Sequence, residues 1–283
     1  MNNLRVGLPS KGRLAEAATA LLEQAGLSFR RQDRSLFARV SELPIDVTFL
    51  RTEDIPVLCA EGAIDMGITG SDLIEEANVQ VTTRLPLGIG KCRLSLCVPR
   101  DSPYKLPVEL SNQRIATSFV NVTKTFFSGC GAEVHLVPLS GSVEIMISLG
   151  VAEGVVDLVQ TGSTLAANNL RVLADIGRYE TVLIQNPVAR HPEIANRIVR
   201  RLEGVVIARD WSLLEYNVPK STLPKAEQIT PGFNSPTINT LEDPGWRAVQ
   251  VMVRRAELLT VMDRLEEIGA TAILETRIHN SRL

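Results

Sequence analysis

A stretch of fourteen residues that occurs twice constrains the fold of this chain more than any other feature. Residues 60–73 read AEGAIDMGITGSDL and residues 152–165 read AEGVVDLVQTGSTL. Eight of the fourteen positions are identical at an offset of 92 residues (152 − 60). One repeated pair is too few for a solenoid. The repeat therefore predicts two similar lobes, or one chemical device used twice.

Both copies lie where a strand passes through a polar turn into a helix. The second copy runs from the apolar segment 155–159 through Thr-Gly-Ser-Thr, and the first runs from 64–68 through Thr-Gly-Ser-Asp. Further strands are predicted near residues 5–8, 46–50, 114–116 and 134–138, followed by helices near 14–24, 54–61, 122–129 and 142–149. Such alternation favours parallel sheets. Two α/β lobes bind ligands in the cleft between them, at the carboxyl ends of their strands.

Size and charge narrow the class of protein. The 283 residues are 45 % hydrophobic, which is enough for a large core and suggests two or three domains. A net charge of −2 argues against nucleic acid as the main partner. No apolar run could span a bilayer, and the N-terminal MNNLRVGLPSKGR lacks the apolar segment of a signal peptide. We therefore expect no membrane partner and a cytoplasmic location.

Cysteine and histidine spacing predicts no dedicated metal site. The four cysteines form no CxxC pair and read as free thiols, while the three histidines lie far apart in the sequence. The 30 cationic residues comprise 24 arginines and 6 lysines. The planar guanidinium group of arginine can donate two parallel hydrogen bonds to a carboxylate or a phosphate. A compositional bias of the source organism is the alternative explanation for the excess of arginine.

The loop of the second copy has the parts of a phosphate cradle. Gly162 allows the backbone to turn, the following helix offers its free N–H groups, and three hydroxyls add donors, on Thr161, Ser163 and Thr164. An ordinary helix N-cap is the alternative. Asp157 favours the cradle, because a carboxylate inside an apolar strand is costly unless it reaches a polar cleft. A carboxylate that binds hydroxyls and backbone N–H groups that bind phosphate would together recognise a phosphorylated sugar.

The loop of the first copy differs in one residue. Asp72 stands where the second copy has Thr164. A carboxylate at a helix N-terminus competes with a bound phosphate, so this loop is predicted to face a base, a ribose or a cation. A plain capping aspartate is the alternative.

Four basic residues lie where a cleft would need positive charge. Lys11 and Arg13 follow the first strand and open the first helix, where cations oppose the helix dipole and so point to a ligand. Arg51 follows the second strand, and Arg93 begins the apolar run 94–98, which is predicted to cross between lobes. Solvated turns or salt bridges are the alternatives.

The pattern changes after about residue 210. Strands are predicted near 213–218, 237–241, 246–253 and 271–278, with helices near 221–228 and 257–268. The order βαββαβ is typical of a ferredoxin-like α+β domain and by itself implies no activity.

Taken together, these motifs resemble the ATP phosphoribosyltransferase family, the first enzymes of histidine biosynthesis. The resemblance covers the whole chain and rests on GLPSKGRL, DMGITGSDL, KCRLSLCVP, GSVE at 141–144 and VVDLVQTGSTLAANNL. It implies a two-lobed α/β core like a type II periplasmic binding protein, with lobe I at 1–90 (184–210 returning to it) and lobe II at 91–183. ITPGFNSPTI and GATAILETRI resemble the long form of the family, which implies an ACT-like regulatory domain at 211–283.

The resemblance also implies a pentosyltransferase reaction. Adenine N1 of ATP attacks the anomeric carbon of phosphoribosyl pyrophosphate (PRPP) and displaces pyrophosphate, with Mg²⁺ held mainly by substrate oxygens. The catalytic cations would be Lys11, Arg13, Arg51 and Arg93. PRPP would bind at Asp157, Thr161, Gly162, Ser163 and Thr164, and ATP at Gly70, Asp72 and Glu144.

For the tail, the resemblance implies feedback inhibition by histidine and a homo-oligomer that assembles from dimers to a hexamer. The histidine site would involve Asn217, Thr237, Met252 and Ala272. The family often has aspartate at the position of Asn217; asparagine keeps an acceptor but loses the charge, which leaves the strength of inhibition open. A bilobal small-molecule sensor and a regulatory subunit without catalysis are the alternative functions.

Overall fold

The computed structural model describes residues 3–32, 35–160, 162–188 and 190–282. These form two compact units. The first comprises Met1–Ala20 and Ser28–Ala195, and the second comprises Leu21–Leu27 and Asn196–Leu283. Two sheets belong to the first unit and one sheet belongs to the second.

The first part of the chain alternates strands with helices, as the sequence predicts. Its elements are β1 (Leu4–Pro9), α1 (Arg13–Gln24), β2 (Phe37–Arg39), β3 (Ile45–Leu50), α2 (Ile55–Ala60), β4 (Met66–Gly70), α3 (Ser71–Ala77) and β5 (Thr82–Pro86). The chain continues with β6 (Cys92–Pro99), β7 (Arg114–Thr117), α4 (Val120–Gly129), β8 (His135–Pro138), α5 (Ile145–Ser148), β9 (Gly154–Val159), α6 (Ser163–Ala167), β10 (Leu170–Tyr179), β11 (Thr181–Gln185) and α7 (Pro192–Asp210). Strands β2, β5, β10 and β11 are not among the predicted strands. The run 94–98, predicted to cross between the lobes, instead lies within β6, inside the second sheet.

Five strands in each sheet of the first unit have the same spatial order and directions, and β2 is an additional strand of the first sheet. Strand order is β2-β3-β1-β4-β11-β5 in the first and β10-β6-β9-β7-β8 in the second. In the first, β1 lies parallel to β3 and β4, while β11 is antiparallel to β4 and β5. In the second, β7 lies parallel to β8 and β9, while β6 is antiparallel to β9 and β10. The prediction of two similar lobes is confirmed, and we call them lobe I and lobe II after these sheets.

Central strands are apolar along most of their length, because helices cover both faces of a parallel sheet. In β1, five of six residues are buried. Ile68 in β4 and Val156 in β9 are fully shielded from solvent. Gly7 allows close packing at the centre of lobe I, since a Cβ there would lie 2.5 Å from the side chain of Ile64. Burial of this kind, at about 25 cal/mol per Å² of apolar surface, supplies most of the stability.

An arginine and an acid anchor the central strands of each lobe in the same way. In lobe I, the Asp65 N–H donates to the Arg5 carbonyl at 2.9 Å, and the Asp65 carboxylate accepts from the Arg5 N–H at 2.7 Å. In lobe II, the Glu153 N–H donates to the Arg114 carbonyl at 2.9 Å, and the Glu153 carboxylate accepts from the Arg114 N–H at 2.9 Å. Asp65 and Glu153 are therefore structural equivalents.

These anchors correct the register of the repeat. The anchoring arginines also donate to the carbonyls of Gly62 and Gly150, which both have positive φ, +69° and +67°. The structural offset is thus 88 residues (153 − 65, 150 − 62) at the strands, although it is 92 (163 − 71) at the start of α3 and α6. The repeat corresponds in structure where Ser71 and Ser163 begin the helices, but its Ala-Glu-Gly halves do not correspond. Lobe II therefore has four more residues than lobe I between the anchoring acid and the helix: one lengthens the strand, and three form the loop 160–162.

The second unit contains the tail predicted from the sequence. Its elements are β12 (Trp211–Pro219), α8 (Leu223–Ile229), β13 (Thr237–Thr240), β14 (Trp246–Arg254), α9 (Leu258–Glu267) and β15 (Thr271–Arg277). The order β13-β14-β12-β15, antiparallel throughout, confirms the ferredoxin-like arrangement. Alternate residues of β12, such as Leu214 and Tyr216, form its core with both helices. Within the described part of the chain, no helix is long and apolar enough to cross a membrane.

Candidate active site

A cavity of about 570 Å³ lies where strand ends of both lobes meet. Lobe I contributes Thr52 after β3, and Gly70 and Asp72 at the junction of β4 and α3. Lobe II contributes Leu158 and Gln160 at the end of β9. The remaining lining residues are Arg13, Leu14, Ala17, Leu73, Ile89, Gly90, Cys92 and Thr181. The cavity has the position expected for a ligand site in a two-lobed α/β fold.

Asp72 is the buried carboxylate of this cavity. It lies in the first turn of α3 with 6 % of its surface exposed. Burial raises the pKa of Asp72 above its ordinary value, the N–H groups of Asp72 and Leu73 lower it, and the charge of Glu75 raises it further. A Cβ at Gly70 would overlap the Asp72 carboxylate, so the carboxylate folds back over that glycine. The buried Asp72 carboxylate can accept hydrogen bonds from a hydroxyl or amine of a ligand, whereas it would repel a phosphate.

Two further titratable groups lie beside Asp72. Cys92 lines the cavity, and burial together with the charge of Asp72 raises the pKa of its thiol to about 11. Cys92 is therefore a thiol at neutral pH and a poor nucleophile. The Tyr179 hydroxyl donates to Glu75 Oε2 at 2.9 Å, and its pKa is raised by burial and by this carboxylate.

Asp157 lies on the opposite face of β9 from the cavity-lining Leu158, since successive residues of a strand alternate. The Leu158 N–H donates to Asp157 Oδ1 at 2.7 Å. Burial raises the pKa of Asp157, and the nearby charge of Glu144, which precedes α5, raises it further. Asp157 and Glu144 thus lie within electrostatic range of each other, but neither lines the 570 Å³ cavity.

The turn between β9 and α6 is a three-residue loop whose last residue is Gly162. Its φ of +79° is the left-handed conformation that favours glycine, and a Cβ there would meet nothing within 4 Å. The glycine is therefore required by backbone geometry rather than by crowding. Thr161 lies outside the described residues, as do the side chains of Ser163 and Thr164, so their predicted roles remain predictions.

The four predicted cations divide between two cavities and the surface. Arg13 lines the 570 Å³ cavity, while Lys11 and Arg51 are exposed at the ends of β1 and β3. Arg93 forms a salt bridge of 3.2 Å with Asp175. It lines a second cavity of about 650 Å³, which shares Cys92 and Gln160 with the first.

Three residues around the cleft were not selected from the sequence. Gln160 borders both cavities, and Arg178 lines the second one. Arg31 donates to the Ser10 carbonyl at 2.9 Å and stacks on the Phe49 ring at 4.0 Å, which holds the loop before α1 in place. A single polar residue in a loop gives no periodic signal. Gln160 was nevertheless detectable as the residue that precedes Thr-Gly-Ser-Thr.

The predicted regulatory residues lie on the second unit's sheet. Asn217 in β12 and Met252 in β14 alternate with the buried core residues, so they occupy the sheet face opposite the helices. Thr237 begins β13 and pairs with Gln250 of β14. Ala272 lies at a bulge of β15 with a φ of +50°.

Comparison with protein families covers both units. Residues 51–204 match the family described as ATP phosphoribosyltransferase, and residues 208–280 match the family described as HisG, C-terminal domain. An ATP phosphoribosyltransferase of Rhodopirellula baltica is 66 % identical over 280 residues, covering 99 % of this chain and 94 % of that protein. The Nocardia farcinica protein of the same name is 40 % identical, with 99 % of each chain covered.

Solved structures share the fold of most of this chain. A chain of the ATP phosphoribosyl transferase (HisG:HisZ) complex from Thermotoga maritima has a TM-score of 0.65 and 29 % identity. The aligned region covers 72 % of this chain and 98 % of that chain. A substrate-binding protein of an amino acid ABC transporter has a TM-score of 0.50 at 12 % identity, covering 73 % of this chain and 94 % of that one. The latter likeness concerns the fold alone.

Proposed function

This chain belongs to the ATP phosphoribosyltransferase family, and from that premise we propose how its residues carry out the reaction. The family's reaction joins adenine N1 of ATP to the anomeric carbon of PRPP and releases pyrophosphate, as the first step of histidine biosynthesis. The C1–O bond to the pyrophosphate breaks while the C1–N1 bond forms. The observation that carries the proposal is the cavity whose lining comes from strand ends of both lobes. Two substrates bound to different lobes would meet in this cavity in one fixed orientation. Holding two reactants in the right geometry accelerates their reaction.

The PRPP side of the cleft belongs to lobe II in this proposal. Asp157 accepts hydrogen bonds from the ribose hydroxyls. We place Glu144 on this side as well, rather than with ATP as the sequence suggests, because its charge acts on Asp157. The loop of residues 161–164 receives the 5-phosphate on backbone N–H groups. The left-handed Gly162 supports this role, since αL turns let neighbouring amides converge on an anion.

The ATP side belongs to lobe I. The Asp72 carboxylate faces the adenine or its ribose, because a triphosphate would be repelled there. Arg13, at the start of α1, borders the same cavity and is available for phosphate. Lys11, Arg51 and Arg93 offset the charge of the triphosphate and of the departing pyrophosphate, which stabilises the transition state electrostatically.

Magnesium enters this proposal with the substrate. Among the residues that the structure describes, no three potential ligand side chains cluster together. Asp157 and Glu144 alone are too few to hold Mg²⁺, but they fit an ion that brings most of its ligands as diphosphate oxygens and water. When bound, Mg²⁺ neutralises charge on the pyrophosphate leaving group.

One assay tests the reaction. The protein is incubated with ATP, PRPP and Mg²⁺ in the presence of inorganic pyrophosphatase, and the absorbance of N1-alkylated adenine is followed. Product that requires all three components supports the proposal. No product from freshly prepared, folded protein would reject it in favour of a sensor.

We further propose that the second unit binds histidine as a feedback inhibitor. Asn217 and Met252 lie on the sheet face opposite the helices, and Thr237 pairs with Gln250, two residues before Met252 on β14, which supports this face as the histidine site. Calorimetric titration with histidine tests this. Absence of heat at millimolar histidine would remove the regulatory proposal and leave the catalytic one intact.

Assembly and location complete the proposal. We propose a homo-oligomer of dimers, up to a hexamer, that acts in the cytoplasm where ATP and PRPP are made. The four thiols, Cys59, Cys92, Cys97 and Cys130, are free, as is usual in that compartment. Light scattering after gel filtration, with and without histidine, measures the assembly.

A further inference from the structure

Helix α3 connects the two lobes: its first residue follows a strand of lobe I, and its last turn contacts lobe II. It begins directly after β4 of lobe I, and its first turn carries Asp72 into the 570 Å³ cavity. Ile74 packs against the apolar core of lobe I, whereas three other side chains contact lobe II. Leu73 packs against the apolar core of lobe II, and Glu75 accepts from the Tyr179 hydroxyl at 2.9 Å.

Glu76 makes the most specific of these contacts. Its carboxylate oxygens accept from the N–H of Asn121 at 3.0 Å and from the N–H of Val122 at 3.1 Å. The Asn121 side chain returns a hydrogen bond from Nδ2 to the Glu76 carbonyl at 2.8 Å. These two N–H groups belong to the first turn of α4, where a helix has no backbone acceptors of its own. Phe119 at the N-cap position provides no side-chain cap.

The cap of the lobe II helix therefore comes from lobe I. A carboxylate at a helix N-terminus satisfies free N–H groups and interacts favourably with the helix dipole. Because these bonds are directional, they restrict rotation of one lobe against the other more tightly than apolar contact does. The same helix carries Asp72, so the restriction also fixes Asp72 relative to Leu158 and the loop that follows β9.

We propose that Glu76 is a positioning residue for the phosphoribosyl transfer: by capping α4 across the cleft, it sets the angle between the lobes at which the two substrates react. This proposal rests on the function proposed above. Each substrate keeps its own set of contacts on one lobe, so losing the cap misaligns the reactants without abolishing the binding of either.

The experiment compares Glu76→Ala and Glu76→Gln with the unaltered enzyme. Misplacement by about 1 Å typically costs up to a hundredfold in rate, so kcat should fall by about ten- to a hundredfold in Glu76→Ala, with each KM within about threefold. Glutamine keeps one acceptor oxygen, and its kcat should lie between the two. Glu267→Ala, an exposed glutamate at the end of α9 in the second unit, is the matched control and should keep full activity.

Two measurements keep the outcome decisive. Hydrogen exchange should accelerate at the amides of Asn121 and Val122 in Glu76→Ala and stay unchanged in the control. If Glu76→Ala does not fold, Asn121→Ala with Tyr179→Phe removes the two side-chain bonds that lobe II donates to α3. It should lower kcat in the same direction but by less, because the N–H groups of Asn121 and Val122 still bind Glu76. A folded Glu76→Ala enzyme with unaltered kcat would overturn the positioning role. An inactive unaltered enzyme would instead reject the proposed function itself.

Discussion

The junction of β4 with α3 in lobe I and the junction of β9 with α6 in lobe II contain the same Thr-Gly-Ser, but their backbones differ. Gly70 has a φ of −79° and α3 starts at the next residue. Gly162 has a φ of +79° and closes a three-residue loop. The strand β11 explains the difference in part, since it pairs with β4 as far as Gly70.

Lobe I uses the polar groups of its junction internally. The Glu180 N–H donates to Ser71 Oγ at 3.1 Å, and Ser71 N–H donates to the Glu180 carbonyl at 2.9 Å. Thr69 donates to the Thr52 carbonyl at 3.1 Å. In lobe II, the four extra residues move the junction beyond the last paired residue of β9, Val159. The motif thus serves as a structural joint in lobe I, and in lobe II it lies beyond the paired part of β9, where we propose a ligand loop.

The largest effect should come from placing a charge in the lobe II loop. Thr161→Asp is expected to raise the KM for PRPP by about a hundredfold or more, because a carboxylate repels the 5-phosphate, while the protein still folds. Initial rates at varied PRPP measure this. Ser71→Ala is the matched change in lobe I; it should lower stability by about 1 kcal/mol through the lost bond to Glu180 and leave that KM unchanged. Unchanged PRPP dependence in Thr161→Asp would contradict a phosphate site here.

The anchors of the two lobes should differ in strength. Arg5→Ala leaves the buried Asp65, 8 % exposed in its side chain, with Arg190 at 4.0 Å as its remaining ion-pair partner among the described residues. We expect a loss of about 2 kcal/mol in unfolding free energy, below the value for a fully buried pair because Arg5 is partly exposed. Arg114→Ala breaks a pair in contact with solvent and should leave the melting temperature nearly unchanged. If urea titrations gave equal losses of unfolding free energy for the two variants, the predicted difference between the two anchors would be wrong.

A smaller effect is expected from Gly162→Ala. Alanine can occupy this space but prefers negative φ, so the folded state should lose about 1 kcal/mol and the KM for PRPP should rise by about tenfold. Gly12→Ala in the loop before α1 has the same strain, with a φ of +80° and nothing within 4 Å of a Cβ. It should lose similar stability while PRPP binding changes less. Denaturant titration measures the loss of stability, and steady-state rates at varied PRPP measure the change in KM.

The smallest effect concerns the pH dependence of stability. Burial raises the pKa of Asp72 above its ordinary value of 3.8, so the unfolded chain releases this proton first as pH rises. Wild-type stability therefore decreases as pH rises from about 3.8 to the raised pKa of the folded protein, and Asp72→Asn should show a melting-temperature gain that grows over that range. Asp157→Asn should show the same sign, since burial raises that pKa too. A gain that shrinks toward neutral pH would show that the carboxylates are stabilised by partners instead.

Periodicity predicted most of the strands and helices, because their apolar pattern follows the core. It missed β10 and β11, whose residues connect the lobes and complete sheets begun much earlier in the chain. The helix predicted over 142–149 is shorter, Ile145–Ser148, because Ser142 adopts a φ of +52° and the chain turns there. Tertiary pairing and single turn residues leave no periodic trace.

The candidate site could be predicted as a set of loops but not as a geometry. Arg13, Gly70 and Asp72 do line one cavity. The register of the repeat was wrong by four residues over its first half, because identity between Ala-Glu-Gly triplets outweighed the anchor pairs Arg5–Asp65 and Arg114–Glu153, which lie too far apart in the sequence to be recognised. Glu76 was also missed, since a lone glutamate in a helix resembles any solvated residue.

The place of β11 in the first sheet has a consequence for synthesis of the protein. It lies between β4 and β5, although it comprises Thr181–Gln185 and both neighbours end before residue 90. A ribosome adding 5–20 residues per second needs roughly ten seconds to move from β4 to β11. During that time the inner edge of β4, with its apolar Ile68, has no partner strand. The nascent first lobe therefore has to wait for the second to be translated, and it is most exposed to aggregation and chaperone capture in that interval.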